Sequence, residues 1–318
     1  MTSISIIYVT VREDFSIKHN PRIHQFVPML KCFQRQTFKD FEIILVDGLY
    51  EHRKDYPFPS DLHIKHVPHH PNHRMWLDMG YWAVASALNT GVIHSQGELL
   101  IFFTDCLVFD KHLLQQYWDW YEKGYFPLCG FRGIDYEPET PLSLVKKRWS
   151  WEMDTRLTTM GTEVMISCPP EWWYGLSSAP IDAILRVNGY DESFDGCKCL
   201  EDMDMGIRMG ILYPKQFVLD KRMIVTNLSA TPITKVKNGN FKHNYPLLVL
   251  NRDKRRAVAN RDRLTEEEVK YVYERTLYEG ELMKPEGPNP MNPDDPLFQF
   301  WVDHQPIFDL REERLELD

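Results

Sequence analysis

The sequence predicts an α/β fold in which a mostly parallel central sheet is flanked by helices. Four short apolar runs lie in the first third of the chain, and segments with helical spacing of apolar residues separate them. Strands that alternate with helices are typical of parallel sheets, because each helix returns the chain for the next parallel strand. The predicted strands are Ile4–Thr10, Phe41–Asp47, 62–67 and 99–105.

Each run has a pattern that suggests its place in the sheet. Three are apolar almost throughout, as expected for central strands that are buried on both faces, whereas 62–67 alternates and is predicted nearer an edge. Apolar residues from Ile23 to Phe33 predict the first helix, and Pro28 within it predicts a late start or a kink. The run from 75 to 94 predicts the next helical region.

The rest of the chain carries fewer patterns. Thr265 and Glu268 have the spacing of a capping box and predict the start of a helix. The segment 283–296 contains five prolines and predicts an extended linker. We expect the apolar patch at 297–302 to dock the tail on the body, and the acidic end at 311–318 to be solvated.

Composition excludes several functional classes. The net charge of −9 argues against a general nucleic-acid-binding surface, so we expect no nucleic-acid partner. No window reaches about 18 apolar residues, and the N-terminus lacks the basic region of a signal peptide, so we expect no transmembrane segment. The six scattered cysteines are expected to be reduced thiols. Together these features predict a cytoplasmic protein.

Two predicted strands end in a carboxylate, Asp47 and Asp105. Ligands of open α/β sheets bind outside the carboxyl ends of the strands, so these two acids are candidates for one site. The alternative is that both serve as turn formers or helix caps, which aspartate often does.

A second concentration of acids begins at Glu201. Glu201, Asp202 and Asp204 are followed by Arg208 on a segment with helical spacing. Acids are favoured at a helix N-terminus by the helix dipole, which accounts for one of them. Three in four residues repel one another, which favours a functional reason for at least part of the cluster.

Three segments in order carry a resemblance. QRQTFKDFEIILVDG, ALNTGVIHSQGELLIFFTD and SSAPIDAILRVNGYDESFDG with EDMDMGIR resemble motifs of inverting family-2-type glycosyltransferases with the GT-A fold. The second segment is similar to an Asn-x-Gly turn followed by a strand that ends in metal-binding acids. The third is similar to the acceptor-side loop and its Glu-Asp pair, which the galactosyltransferase branch shares. The resemblance covers about residues 1–225.

The resemblance implies a role for single residues. Asp202 matches the catalytic base, and Glu201 a neighbour that orients the acceptor hydroxyl. Asp105 matches the acids that hold a divalent cation, Mn²⁺ or Mg²⁺, on the diphosphate. Thr10 and Asp47 match positions that hold the base and ribose of the nucleotide, and Asn89 belongs to the Asn-x-Gly motif on the donor side. Trp172 and Trp173 are candidates for the acceptor side, because aromatic residues beside polar ones suit a sugar. Many relatives add a metal-binding histidine after the Glu-Asp motif; none stands at the expected place here, and His243 is the nearest later candidate.

The chain also departs from the family pattern. Thr104-Asp105-Cys106 keeps one carboxylate where the family has two or three, and Leu88 stands where an arginine is usual, so Arg74 is the candidate for that donor contact. For Trp172 and Trp173, ordinary burial in the core is the alternative to stacking on a sugar. For His243, a surface or core position is the alternative to metal binding.

The resemblance implies a GT-A domain at 1–225, with a nucleotide-sugar half at about 1–110 and an acceptor half at 111–225. The remainder, 226–318, is expected to be an extension with a helix and a proline-rich tail. The expected function is the transfer of a sugar, with inversion, from a nucleotide-diphosphate sugar to an acceptor hydroxyl. A UDP-sugar is the leading candidate for the donor. The main alternative is an inactive nucleotide-sugar or glycan-binding protein. A nucleotidyltransferase would need a glycine-rich loop after the first strand, which this sequence lacks.

Overall fold

A computed structural model describes most of the 318 residues. The described ranges are 2–11, 16–17, 20–24, 26–81, 83–104, 107–134, 154–196, 200–228, 243–282 and 296–317. Asp105, Cys106 and the predicted proline-rich linker at 283–295 lie outside these ranges.

The described strands are numbered in chain order. They are β1 Ile4–Thr10, β2 Ser16–Ile17, β3 Asn20–His24, β4 Phe41–Asp47, β5 Ile64–Val67, β6 Leu99–Phe103, β7 Leu107–Phe109, β8 Phe126–Ile134, β9 Val164–Ile166, β10 Ser178–Pro180 and β11 Phe217–Leu228.

The described helices are numbered in the same way. They are α1 Phe26–Gln34, α2 Tyr50–Arg53, α3 Met75–Asp78, α4 Val84–His94, α5 Leu113–Glu122, α6 Thr155–Thr159, α7 Ile181–Arg186, α8 Glu201–Leu212, α9 Asn244–Asp253, α10 Glu266–Leu282, α11 Pro296–Asp303 and α12 Leu310–Leu315. None of these helices has the length and apolar content that crossing a membrane requires.

The central sheet has five strands in the order β10–β6–β1–β4–β5. The pairs β6–β1, β1–β4 and β4–β5 are parallel, and β10 adds an antiparallel edge. This confirms the predicted mixed α/β class with a mostly parallel sheet. The three uniformly apolar runs are the central strands, and the alternating run forms the edge strand β5, because only one of its faces needs to be apolar.

A second sheet has the order β7–β11–β8, and β9 also pairs with β11. β8 and β11 run parallel, while β7 and β9 are antiparallel to β11. Ser177, which directly precedes β10, forms a bridge with Leu128 of β8. This places the segment before β10 next to both sheets.

The first helix begins late, as Pro28 predicted. α1 starts at Phe26, so Pro28 lies in its first turn, where the missing amide hydrogen costs no intrahelical hydrogen bond. Met29, Leu30 and Phe33 are buried in the apolar cluster that includes one face of β1.

The second helical region is two helices rather than one. Gly80, with φ of +78°, lies between α3 and α4. The expectation of an Asn-x-Gly turn is wrong, because Asn89 and Gly91 both lie within α4. A Cβ at Gly91 would lie 2.3 Å from Cγ2 of Ile7, so glycine is needed for the close packing of α4 on β1.

The C-terminal part packs on the N-terminal body. The capping box is confirmed, since Thr265 N donates to Glu268 Oε2 over 2.9 Å and Glu268 N donates to Thr265 Oγ1 over 3.3 Å. Docking of the apolar patch is also confirmed. Phe298 and Trp301 of α11 share a buried cluster with Trp76 and Phe194.

The acidic end at 311–318 is exposed at most of its described residues, as expected, but Glu313 and Arg314 depart from that expectation. Leu310 of α12 is fully buried, and Glu313 is 8% exposed. Arg314 donates to the carbonyl oxygens of Val92 and Ser95 at the end of α4. These hydrogen bonds reach the C-terminal end of α4, where the helical hydrogen-bond pattern stops, and they anchor α12 on α4.

Candidate active site

The carboxylate of Asp202 lies at the start of α8. The residue before the helix, Leu200, has a left-handed backbone with φ of 82°, and its carbonyl oxygen accepts the first helical hydrogen bond from Asp204 N. Such a conformation costs about 1–3 kcal/mol in a residue with a Cβ. Glu201 and Asp202 are both partly exposed, so they are open to a ligand.

Gly175 lies next to both Asp202 and the end of the central strand β6. A Cβ at this position would lie 2.6 Å from Cγ2 of Thr104 and 3.8 Å from Oδ2 of Asp202. Thr104 directly follows β6, so Asp202 lies at the carboxyl end of that strand, where ligands of open α/β sheets bind. Asp105 is the next residue in the chain, outside the described ranges.

Loss of solvation raises the pKa of Asp202 well above its usual range, and the charge of Glu201 raises it further. The Tyr190 hydroxyl, the Arg156 guanidinium and the Gly175 amide act in the opposite direction, because each favours the carboxylate. A carboxylate with a raised pKa binds a proton more readily at neutral pH. This environment therefore suits a general base.

Arg156 is held in a fixed position near Asp202. Its Nε lies 3.0 Å from Oδ1 of Asp154, and its Nη2 lies 2.6 Å from Oδ2 of the same carboxylate. It also donates to the carbonyl oxygens of Cys129, over 2.9 Å, and of Trp172. These bonds anchor the segment that leads into Gly175.

Thr10 and Asp47 are direct neighbours at the ends of β1 and β4. Asp47 is fully buried. Its Oδ2 lies 3.1 Å from both Arg53 Nε and His66 Nε2, and its Oδ1 accepts from Leu49 N. The two residues share one edge of the sheet, as predicted. Nucleotide binding by Thr10 and Asp47 stays a prediction. The buried ion pair with Arg53 gives Asp47 a structural role as well.

The structure gives Asn89 and Arg74 other partners. Asn89 is fully buried, and it accepts from Tyr190 N over 2.8 Å and donates to Tyr190 O over 2.9 Å. Arg74 is exposed and pairs with Asp78 one helical turn later. These contacts offer no support for donor binding by either residue, which stays a prediction.

The two adjacent tryptophans point into different surroundings. Trp173 is 2% exposed and packs against Phe102 and Phe217, and its indole Nε1 donates to the Tyr190 hydroxyl. Its burial leaves no ring face for an acceptor. Trp172 is partly exposed, so acceptor binding by Trp172 is the prediction that this geometry allows.

His243 has the surroundings of a packing residue. It is fully buried, its Nε2 lies 3.1 Å from the carbonyl oxygen of Ser193, and its ring lies 4.7 Å from that of Trp301. Burial lowers the pKa of His243 to about 4, so the ring is neutral at physiological pH. Metal ligation by His243 stays a prediction that these contacts do not support.

Sequence reasoning missed a cluster formed by His70, His73 and Glu313. Within the described ranges it is the group of side chains whose ligand atoms, all within 4.8 Å of one another, could hold a metal ion. His73 Nε2 lies 2.5 Å from Glu313 Oε2, which is a hydrogen-bond distance and too short for a metal between the two atoms. The histidine-rich sequence HVPHHPNHR was the available signal.

Most acids of the 191–204 segment serve the scaffold. Asp195 accepts from the backbone amides of Ala85 and Ser86, each over 2.9 Å, and so caps α4. Asp204 pairs with Arg208 at 2.6 Å. Asp191, Glu192, Asp195 and Asp204 are all buried, whereas Glu201 and Asp202 are partly exposed.

Comparisons with known proteins identify the fold. No family model and no curated protein sequence matches this chain. Among solved structures, S. aureus TarS 1–349 in complex with UDP aligns with a TM-score of 0.53 at 13% identity, covering 86% of this chain and 70% of that one. The same fragment with UDP-GlcNAc aligns with a TM-score of 0.53 at 12% identity, covering 86% and 71%.

A third structure, GalNAc-T7 with UDP, GalNAc and Mn²⁺, aligns with a TM-score of 0.52 at 13% identity. The match covers 78% of this chain and about half, 48%, of that one. These neighbours are GT-A glycosyltransferases, and the described chain shares their fold, a central α/β sheet flanked by helices. At such low identity the likeness establishes the fold alone.

Proposed function

We propose that this protein is a glycosyltransferase that moves a sugar, with inversion, from a nucleotide-diphosphate sugar, first of all a UDP-sugar, to an acceptor hydroxyl. One observation carries the proposal. A partly exposed Glu201–Asp202 pair lies at the start of α8, beside Gly175 and the carboxyl end of β6. The structural neighbours with UDP, UDP-GlcNAc and GalNAc support it.

In this mechanism Asp202 accepts the proton of the acceptor hydroxyl. The acceptor oxygen forms a bond to the anomeric carbon while the bond from that carbon to the diphosphate breaks on the opposite face, which inverts the configuration. General base catalysis of this kind contributes about 10²–10⁴-fold. Glu201 orients the acceptor hydroxyl, and the raised pKa of Asp202 helps it to take the proton.

The donor side consists of the strand ends. Thr10 and Asp47 lie together at the ends of β1 and β4 and would bind the nucleoside. Asp105 directly follows Thr104 in the chain and would act on the donor side of the site. Its carboxylate oxygen fits Mn²⁺ or Mg²⁺, which prefer oxygen ligands, and a bound cation supplies positive charge to the departing diphosphate. With one carboxylate there, the diphosphate itself would supply much of the coordination.

The domain boundaries remain part of the proposal. Residues 1–225 would form the transferase domain, with the donor half at about 1–110 and the acceptor half at 111–225, and 226–318 the extension. The burial of Phe298 and Trp301 beside Trp76 supports an extension that packs on the transferase domain. A cytoplasmic location is proposed from the sequence alone.

Asp202→Asn tests the assignment, because the amide keeps the shape of the side chain but cannot accept the proton. We expect UDP binding, measured by calorimetry with and without Mn²⁺, to be unchanged. We expect UDP release from UDP-GlcNAc or another UDP-sugar to fall about 10²-fold or more. The exposed Asp262→Asn is the matched control. Activity of Asp202→Asn within a few-fold of the wild type would place the base elsewhere.

The alternative function is that of a nucleotide-sugar or glycan-binding protein without catalysis. The single carboxylate in Thr104-Asp105-Cys106 is the observation that favours it. Tight UDP binding without turnover of any donor, with acceptors or with water, would support this alternative over the transferase.

A further inference from the structure

We infer that Tyr190 and Trp173 form a hydrogen-bond chain that positions the carboxylate of Asp202. The inference rests on the proposed function, in which Asp202 is the base. Neither residue needs to touch a substrate, so both are positioning residues. The chain runs from Trp173 Nε1 to the Tyr190 hydroxyl, 3.0 Å away, and from there to Asp202 Oδ1 at 3.5 Å.

The donors and acceptors give this chain one direction. An indole nitrogen can only donate, so Trp173 occupies a lone pair of the Tyr190 oxygen. The tyrosine has a single hydroxyl proton, and Asp202 is the acceptor that the structure places for it. The proton therefore points at Oδ1 of Asp202. The distance of 3.5 Å is long, as catalytic hydrogen bonds often are before substrate binds.

Both rings are held rigidly. Trp173 is 2% exposed and Tyr190 fully buried, and their ring centroids lie 6.0 Å and 5.2 Å from that of Phe102. The backbone of Tyr190 is bound by Asn89 on both sides and by Asn260, which donates to its carbonyl oxygen over 2.8 Å. The hydroxyl can therefore move little relative to Asp202.

Packing alone does not explain the two polar groups. Phenylalanine at position 190 would fill nearly the same volume without a buried polar atom that needs a partner, and an apolar side chain at position 173 would likewise bury no N–H group. The chain of donors ends at a partly exposed carboxylate rather than closing within the core. A role in positioning the Asp202 carboxylate explains why the Trp173 indole N–H and the Tyr190 hydroxyl are buried there.

Several groups besides the Tyr190 hydroxyl influence the protonation of Asp202. Burial and the charge of Glu201 disfavour the ionised form of Asp202, while Arg156 and the Gly175 amide favour the ionised form. Arg208 lies within electrostatic range of the Tyr190 hydroxyl. A donated hydrogen bond stabilises the ionised form, so the Tyr190 hydroxyl helps to keep Asp202 deprotonated and ready to act as a base.

Tyr190→Phe removes the hydroxyl and keeps the ring. Titration of ¹³C-carboxyl-labelled protein by NMR, with the Asp202 resonance identified by its loss in Asp202→Asn, reports the pKa without any substrate. We expect the Asp202 pKa to rise by about one unit in Tyr190→Phe. Trp173→Phe frees the hydroxyl to rotate and should give a smaller rise. The acid limb of kcat/KM for a UDP-sugar should move to higher pH by the same amounts.

Tyr121→Phe is the matched control, because the Tyr121 hydroxyl also donates to a carboxylate, Glu98, over a similar 3.4 Å. It should leave the Asp202 pKa unchanged. An unchanged Asp202 pKa in both Tyr190→Phe and Trp173→Phe overturns the inference, and Trp173→Phe decides alone if Tyr190→Phe does not fold. Full turnover by Asp202→Asn would instead show that Asp202 is not the base, which removes the part of the proposed function on which this inference rests, whatever the titration shows.

Discussion

Nε2 of His73 lies 2.5 Å from Oε2 of Glu313, although 240 residues separate them in the chain. Nδ1 of the same ring lies 2.6 Å from Oε1 of Glu192. His73 is buried, and Asn72 donates to the second oxygen of Glu313. A protonated imidazole thus joins the C-terminal helix α12 to the loop that carries Tyr190.

His73→Gln should destabilise the protein in a pH-dependent way. Burial disfavours the charged ring, but the two carboxylates outweigh it and raise the pKa of His73 to about 10. A raised pKa stabilises the folded state fully below the unfolded value of about 6.5, and this stabilisation is lost as pH rises towards 10. We expect a loss of about 3 kcal/mol in the free energy of unfolding at pH 6 and a smaller difference at pH 10, measured by urea denaturation.

The exposed His63→Gln is the control for that experiment and should change the free energy of unfolding by less than about 0.5 kcal/mol. A loss in His73→Gln that is equal at pH 6 and pH 10 would show that the ring is neutral in the folded protein.

Gly175→Ala should disturb the candidate active site around Asp202 more than the fold. The added Cβ would lie 2.6 Å from Thr104 Cγ2, so the residue before Asp105 must shift. We expect a stability loss of about 1–3 kcal/mol and at least a tenfold fall in kcat/KM. Gly161→Ala, whose Cβ would meet nothing within 4 Å, is the control and should behave as the wild type. Equal kinetics of the two variants would remove Gly175 from the site.

The predicted metal ligands can be separated by a titration of UDP binding with Mn²⁺ and EDTA. Asp105→Ala should abolish the gain in UDP affinity that Mn²⁺ produces. His243→Ala should keep that gain but lower the thermal stability, because the ring is buried against Trp301. If His243→Ala lost the gain in UDP affinity from Mn²⁺, that result would support His243 as a metal ligand. Full activity in EDTA would mean that basic side chains stabilise the diphosphate.

Trp172→Ala and Trp173→Ala should fail in different ways. Trp173 lies in the core, so its truncation should cost about 3–5 kcal/mol of stability. Trp172 is partly exposed, and its truncation should raise the KM for the acceptor with little loss of stability. A normal acceptor KM in Trp172→Ala would leave acceptor binding to other residues.

Much of the fold followed from local patterns in the chain. The apolar runs predicted β1, β4 and β6 as central strands, and the capping box at Thr265 predicted the start of α10. Patterns at Asn89–Gly91 misled, because the small residue that suggested a turn serves the packing of α4 on Ile7. A glycine has the same appearance in the sequence in both uses.

By itself the sequence determined the four strands β1, β4, β5 and β6, their parallel arrangement and the acidic segment that starts α8, because periodicity, caps and strand-end acids act over a few residues. Only the tertiary structure decided what each acid does. Asp195 and Asp202 are the same residue type seven positions apart, yet the first caps α4 from 109 and 110 residues away and the second stays partly exposed beside Gly175. Partners that arrive from distant parts of the chain set the burial and pKa of a carboxylate, and no local pattern records them.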